Sequence, residues 1–187
     1  MEALHKQLLE TARNRELFYV YDTLPGECLQ PSNHVQHREL FANLAKRTRF
    51  FLTYPAKVDR FEETRGLSEA GTRFYEAVAS GAVMVGRAPD SDAFKAEFNW
   101  TDSVINIGEH ADELVSLMRE FERHPERFEQ LCRTNSVEAL KRHDWVYRWD
   151  DILKIVGESP TEKLALRKDR LSQLAQFALA TPQLSMT

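Results

Sequence analysis

The 187-residue chain lacks the features that mark several common classes of protein. No apolar run is long enough to cross a bilayer, and the charged, amphipathic N-terminus is not a signal peptide. The net charge is −4, without the basic surplus that nucleic-acid-binding proteins usually show. The two cysteines, Cys28 and Cys132, lie far apart, which favours reduced thiols over a disulfide framework. We therefore expect a cytoplasmic protein that binds no nucleic acid.

Common nucleotide and metal motifs are also missing. The chain has neither a Walker-type Gly-Lys-Ser/Thr run nor a dinucleotide-binding Gly-x-Gly-x-x-Gly, which weakens the hypothesis of some other nucleotide-using transferase. His34 and His37 have a spacing seen in metal sites, but no cysteine or clustered third ligand accompanies them. We expect no metal and read the two histidines as the edge of a loop.

The pattern that is present alternates helices with strands. Hydrophobic residues make up 42% of the chain and charged residues 29%, as in an ordinary globular protein with one sizeable core. Periodicity predicts helices at 2–13, 37–46, 109–121, 127–142 and 143–157, and strands at 17–21, 49–54, 82–85 and 103–107. This order predicts an α/β fold with a Rossmann-like parallel sheet flanked by helices.

Apolar spacing also predicts which side chains face the core. Leu40, Phe41 and Leu44 should point inward from the second helix, by their helical spacing. Trp145 and Trp149 lie one turn apart, and large aromatics at that spacing usually pack in a core rather than stack on bases.

We expect two regions along the chain. Residues 1–157 should form the Rossmann-like domain; because a helix precedes the first predicted strand, the first strand of the sheet is expected to be missing. Residues 158–187 should add a C-terminal helical arm and a loose tail after Ala180. The arm has an apolar stripe that would fold back on the domain, cross to a partner domain, or join a second copy in a homodimer: Leu164, Leu171, Leu174 and Phe177.

The stretch from 67 to 86, LSEAGTRFYEAVASGAVMVG, carries the candidate chemistry. A polar loop with Gly71 leads into a short amphipathic helix, which Gly81 ends before a brief apolar strand. The first turn of a helix has unpaired N–H groups and about half a positive charge, so its amides suit a phosphate. The small residue at Gly71 would let such a ligand approach closely.

Helical spacing places Thr72, Arg73 and Glu76 on one face. Arg73 and the amides would bind phosphates, while Glu76 would accept hydrogen bonds from a vicinal diol such as a ribose. A plain turn followed by a glutamate placed for the helix dipole gives the same spacing, so the residues alone leave both interpretations open.

The run from Gly71 to Val83, with Glu76-Ala-Val-Ala-Ser-Gly at its centre, resembles the donor-site signature of GT-B glycosyltransferases. The resemblance is to the "group 1" set, particularly its CgeB-like members, and covers about residues 38–157. In that family the helix carries a Glu that binds the ribose of a nucleotide sugar. By position, Glu76 matches the second Glu of the family's Glu-x7-Glu motif. Ser68 stands at the first Glu, with Glu69 one place later.

The resemblance implies a donor-binding half that holds a UDP- or GDP-sugar without a metal or other cofactor. Ala88, Pro89 and Asp90 occupy a turn that approaches the donor in related enzymes. The charged loop after the second predicted strand lies at the carboxyl end of the sheet, where ligands bind in open α/β folds. Three of its cations are candidates to assist a diphosphate, although a solvated loop is the alternative: Lys57, Arg60 and Arg65.

The function we expect from this resemblance is sugar transfer from a nucleotide-diphosphate donor to an acceptor hydroxyl. Such enzymes close two halves over a cleft, so an N-terminal acceptor-binding domain or partner chain is implied, and the isolated chain should turn over little. The alternative is a non-catalytic Rossmann-like interaction module or truncated remnant, which Ser68 in place of the family's Glu favours slightly.

Overall fold

The computed structural model describes residues 2–21, 33–58 and 60–180. The described residues contain a parallel sheet of three strands in the order β1 (Phe50–Thr53), β2 (Val83–Gly86), β3 (Ile105–Asn106). Every residue of the central strand β2 is buried, as expected for a parallel strand covered by helices on both faces. The α/β class with a Rossmann-like parallel sheet is confirmed.

Nine helices surround this sheet in the described part of the chain. They are α1 (Glu2–Arg13), α2 (His34–Ala45), α3 (Phe61–Thr64), α4 (Thr72–Ser80), α5 (Asp92–Glu97), α6 (Ala111–Arg123), α7 (Pro125–Arg142), α8 (Trp145–Ile155) and α9 (Glu162–Ala180). The two short helices α3 and α5 were not predicted, because four and six residues are too few to show a helical period. None of the described helices has the length and apolarity that a bilayer span needs.

The two faces of the sheet carry separate apolar clusters, since side chains alternate along each strand. Val83 and Val85 face α1 and α6, where Leu8 and Phe121 are fully buried. Met84 faces α4 and α5, and here Phe74 lies 5.0 Å from Phe94, ring centroid to ring centroid. Removing apolar surface from water on both faces holds the helices against the strands.

A buried polar contact fixes the long helix α7 to the start of β2. The Asn135 amide nitrogen donates to the Ala82 carbonyl at 2.7 Å, and the Trp100 indole donates to the Asn135 side-chain oxygen at 3.0 Å. At the turn before β2, Gly81 has φ 77°, a left-handed value that ends α4. A Cβ at Gly81 would also meet the Ser136 hydroxyl, which would have to rotate away, so it is mainly the left-handed conformation that favours glycine there.

The predicted strand at Leu17–Tyr21 is wrong. The segment is irregular, and no backbone hydrogen bond joins it to the sheet among the described residues. Leu17 and Tyr19 pack on the cluster of the α1 face, while Phe18 is 92% exposed, so the alternation is present without a paired strand. Alternation predicts which side chains face inward, but a strand also needs a neighbour to receive its backbone groups.

Several predicted core positions on helices are also wrong. On α2, Phe41 contacts Phe51, but Leu40 is 60% exposed and Leu44 is 38% exposed. On α8, Trp145 and Trp149 are 72% and 56% exposed. The adjacent face of α8 is buried instead: Val146 and Asp150 lie there, and Asp150 forms an ion pair with Lys168 of α9 at 2.6 Å. One-turn spacing shows that residues share a face, not that the face points inward.

The C-terminal helix α9 packs against α7 and α8 of the same chain. Leu171 and Ala175 are buried in this contact, whereas the predicted stripe positions Leu174 and Phe177 are exposed. Arg167 reinforces the packing through an ion pair with Asp144, the cap of α8, at 2.6 Å. The tail predicted to be loose lies beyond residue 180, outside the described residues, as does Cys28; Cys132 is a free thiol.

Candidate functional site

The N-terminus of α4 lies at the carboxyl end of the sheet, because the chain reaches it from the end of β1. Gly71 caps the helix in an extended conformation, with φ −79° and ψ 167°, and no side chain accepts a hydrogen bond from the first turn. Asn33, Ser91 and Asp144 cap α2, α5 and α8 with their side-chain oxygens, whereas α6 and α7, like α4, have no side-chain cap among the described residues. The Phe74 amide donates to the Gly71 carbonyl at 3.3 Å, so within the described part of the chain the first-turn amides of Thr72 and Arg73 are left for another acceptor.

Neither the backbone conformation nor the space at Gly71 requires a glycine, although the sequence predicted that its small size would let a ligand approach. Its φ is one that any residue adopts, and a Cβ there would meet Ala56 at an ordinary 3.8 Å. The loop ahead of α4 is held by its backbone instead, since the Ala56 amide donates to the Glu69 carbonyl at 2.8 Å. This bond joins the loop after β1 to the loop before α4 at one edge of the sheet.

The predicted ligand-binding side chains lie on the outer face of α4. Phe74, Ala77 and Val78 are buried against the sheet, which leaves Arg73 and Glu76 facing outward, as the spacing predicted. Arg73 Nη1 donates to Glu76 Oε2 at 2.8 Å, with side chains 52% and 36% exposed. The Arg73 guanidinium also lies 4.9 Å from the centroid of the Phe41 ring of α2.

The remaining loop candidates near this helix have contacts of their own. Thr72 is exposed at the first position of α4, and Ser68 is half-buried. Glu69 is exposed, and its Oε2 accepts from the Ser91 hydroxyl at 3.5 Å, the outer limit of a hydrogen bond. This contact draws the start of α5 toward the loop that precedes α4.

The loop cations form a separate local group. Lys57 and Arg60 both donate to Glu63, at 2.7 and 2.8 Å. The hydrogen bond from Lys57, followed by that from Arg60, lowers the pKa of the Glu63 carboxyl. Arg65 is exposed and ends α3 with a left-handed φ of 51°. Among the described residues, no ion pair joins these three cations to Glu76, which pairs with Arg73.

A second feature of the same edge was not predicted. A cavity of about 330 Å³ lies where all three strands end, lined by Tyr54 after β1, Arg87 after β2, and Glu109 after β3. Parallel strands bring their carboxyl ends to one edge, so inspecting the residues after each predicted strand would have found these side chains. A larger groove of about 440 Å³ runs between α1 and α6, but it touches none of the strand ends.

Two hydroxyl groups at the end of β1 are buried without a hydrogen-bond partner in the described part of the chain: those of Thr53 and Tyr54. Burial raises the pKa of the Tyr54 phenol, with a smaller opposing effect from Arg87. The backbone here is tight, since Gly86 has φ 141° and a Cβ there would collide with the Thr53 carbonyl. Arg87 follows directly, and its amide donates to that carbonyl at 3.0 Å.

No group of three or more metal-binding side chains occurs among the described residues, and His34 and His37 both lie on α2 rather than in a loop. The carboxyl edge of the sheet thus presents the helix amides at the start of α4, the Arg73 guanidinium, the exposed Glu69 carboxylate and the two buried hydroxyls at the end of β1. Amides and guanidinium suit phosphate oxygens, and carboxylates suit vicinal hydroxyls.

Comparison with known proteins gives the family. A family model described as glycosyl transferase-like matches residues 6–154, which include all three strands of the sheet and the helices from α2 to α7. Searches of curated proteins and of solved structures gave no match. Because the family model covers most of its length, the chain belongs to the glycosyl transferase-like family.

Proposed function

We propose that this chain is the donor-binding half of a GT-B glycosyltransferase of the CgeB-like type. It would bind a UDP- or GDP-sugar and support transfer of the sugar to an acceptor hydroxyl. The observation that carries this proposal is the uncapped N-terminus of α4, with Arg73 and Glu76 together on the exposed face one turn further. Family membership supports glycosyl transfer as the reaction that this geometry serves.

Each part of the donor has a matching group at this edge. The amides of Thr72 and Arg73 and the Arg73 guanidinium bind the diphosphate, and the Glu76 carboxylate accepts two hydrogen bonds from the ribose. Lys57, Arg60 and Arg65 lie in the adjoining loop and would assist the diphosphate if they exchange local partners for it. The bond from the sugar C1 to the phosphate oxygen breaks, the acceptor oxygen bonds to C1, and the proton of the acceptor hydroxyl passes to the departing diphosphate, which cationic groups stabilise.

The ion pair on α4 suggests how the site responds to the donor. In the free protein Arg73 and Glu76 satisfy each other at 2.8 Å, an exposed pair of small net strength. A diphosphate at the helix end carries more charge than one carboxylate and draws the guanidinium toward itself. Glu76 then has its oxygens available for the ribose hydroxyls. The pair is therefore a resting arrangement that ligand binding replaces.

Calorimetric titration of the folded chain with UDP, GDP and their sugars tests this proposal. We expect Glu76→Ala to lower nucleotide affinity by about tenfold, because two hydrogen bonds to a charged group are lost, without loss of folding. Glu122→Ala is the matched control, since Glu122 is exposed near the far end of α6 and should leave affinity unchanged. A folded wild-type chain that binds none of these nucleotides would contradict the proposal.

The acceptor side requires an additional acceptor-binding domain or partner chain. The second candidate function is a non-catalytic interaction module, which Ser68 favours because it stands where the family has the first Glu of its motif. Under that alternative, pairing as a homodimer would use the outer face of α9, where Leu166 and Leu174 are exposed. Nucleotide titration separates the two, since the interaction module would show no dependence on Glu76.

A further inference from the structure

The cavity at the ends of the three strands lies on the opposite face of the sheet edge from α4. Its residues come from four places in the chain: Leu4 on α1, Tyr54 after β1, Arg87 after β2, and Ile107 and Glu109 after β3. Its volume of about 330 Å³ is within the range of small-molecule sites. Location and volume do not show that the cavity binds a ligand, so whether it does depends on the polar groups that line it.

One of those polar groups is buried and unsatisfied among the residues that the structure describes, while the Arg87 and Glu109 side chains are exposed to solvent at the cavity. The Tyr54 hydroxyl is shielded from solvent and has no hydrogen-bond partner in the described residues. Arg87 and Glu109 line the same cavity, and the described part of the chain gives neither side chain an ion pair or hydrogen bond. The nearby Glu113 carboxylate already has a partner within the protein, because its Oε2 accepts a hydrogen bond from the Gly108 amide at 2.7 Å. A buried hydroxyl without a partner is costly, and a ligand can supply the missing bond.

The mixture of groups identifies the ligand class. One guanidinium and one carboxylate cancel in charge, which argues against a second phosphate and for a neutral ligand. Both hydrogen-bond well to vicinal hydroxyls, and the Tyr54 hydroxyl can donate or accept. Leu4 and Ile107 add an apolar wall that suits the C–H face of a sugar ring. Tyr54 is the single aromatic among the described lining residues, so a nucleobase would find no pair of rings to stack between.

We propose that this cavity is a pyranose subsite, in which Tyr54, Arg87 and Glu109 bind the hydroxyls of one sugar ring. This inference rests on the proposed function, because it assumes that the nucleotide binds at α4. The sugar ring would then bind on the opposite face of the sheet, at the same carboxyl edge. It also gives a role to a carboxylate from another strand end in a chain that has Ser68 where the family has Glu. The same chemistry would recognise the transferred sugar of the donor or a sugar of the acceptor.

The experiment uses Tyr54→Phe, Arg87→Ala and Glu109→Gln in the full chain. In the donor arm, calorimetry compares UDP-glucose with UDP, and GDP-mannose with GDP. In the acceptor arm, saturation-transfer NMR follows methyl glucoside and methyl mannoside. Glu122→Gln and Arg123→Ala, near or at the other end of α6, are the matched controls. Thermal melting confirms that each variant is folded.

If the ring belongs to the donor, the sugar nucleotide binds more tightly than the nucleotide alone, and Arg87→Ala or Glu109→Gln removes about tenfold of that difference. Affinity for UDP itself stays unchanged. If the sugar ring in the cavity belongs to the acceptor, the saturation-transfer signal of the methyl glycosides is lost in the same variants. The proposal is overturned if neither arm responds to the three cavity variants. Absence of UDP binding with a cavity-dependent glycoside signal would reject the nucleotide site and keep this one.

Discussion

The two sides of the sheet edge hold their polar groups in opposite states. At α4, Arg73 and Glu76 are exposed and bound to each other. At the cavity, the Tyr54 hydroxyl is buried and unbound within the described residues. A paired, solvated site can exchange partners at little cost, whereas an unpaired, buried group gains a bond that the free protein never had. Mutations should therefore affect ligand binding on both sides but protein stability in different ways.

The largest effect should come from removing the core beneath α4. Phe74 is fully buried and packs edge-on against Phe94 and Phe98, at 5.0 and 6.1 Å between ring centroids. Phe74→Ala should lower the free energy of unfolding by about 3–5 kcal/mol, measured by urea denaturation. Phe18→Ala is the control, since a side chain that is 92% exposed should change stability by at most about 0.5 kcal/mol. Equal effects of the two variants would contradict this packing.

The next effect concerns acid stability and lies on the same side of the sheet. His143 stacks on Phe98, with ring centroids 4.7 Å apart, and both of its ring nitrogens are buried without a partner in the described chain. Burial lowers the pKa of His143 to about 4, although Glu97 opposes the shift and Arg148 and Arg142 add to it. Folding therefore disfavours the protonated ring.

Between pH 6.5 and about 4 the unfolded chain binds the proton that the folded chain excludes, so stability falls as the pH is lowered through this range. We expect His143 to account for about 2 kcal/mol of that loss, less than the full shift in pKa implies, because the residue is only partly buried and solvent screens its charge. Urea unfolding of wild type and His143→Phe across this range measures it, because the difference in stability between the two should change with pH. A difference that stays constant would show that His143 does not titrate in this way.

The sequence predicted the arrangement of side chains on α4 but not the cavity on the other face of the sheet, and the reason is physical. The α4 side was predictable because its signals are local: Gly81 ends the helix, and the spacing of Arg73 and Glu76 sets their face. The cavity joins Tyr54, Arg87 and Glu109, whose meeting depends on strand order and register. No local period encodes those.

The errors in the helical faces have a related cause. Spacing put Trp145 and Trp149 on one face of α8, but which face turns inward is decided by the contact with α9. Likewise, the β-branched and aromatic residues at Leu17–Tyr21 predicted a strand, but the segment packs on the sheet's cluster without pairing as one. In each case the missing information was the identity of the neighbour.

A smaller effect should follow from breaking the pair on α4. Arg73→Ala should change stability by at most about 0.5 kcal/mol, because the pair is exposed and its net strength is low. Nucleotide affinity should fall by about tenfold, since a charge-assisted bond to phosphate is lost. Arg119→Ala is the matched control, because Arg119 of α6 forms an exposed pair with Glu16 at 3.6 Å, away from the N-terminus of α4. If both variants weakened UDP binding equally in calorimetry, general charge rather than the α4 site would be responsible.

The smallest expected change in stability comes from Tyr54→Phe. This variant tests most directly whether the polar groups at the cavity lack partners while those on α4 have them. Tyr54→Phe removes a hydroxyl that has no partner within the described residues, so stability should stay the same or rise by up to about 1 kcal/mol. Tyr19→Phe is the matched variant on the same face, where the Tyr19 hydroxyl contacts His5 Nδ1 at 3.1 Å. That substitution breaks a formed hydrogen bond and should lower stability by about 1 kcal/mol. Urea denaturation of the two variants decides the matter, because a clear loss in Tyr54→Phe would mean that the hydroxyl is already satisfied and the cavity needs no ligand.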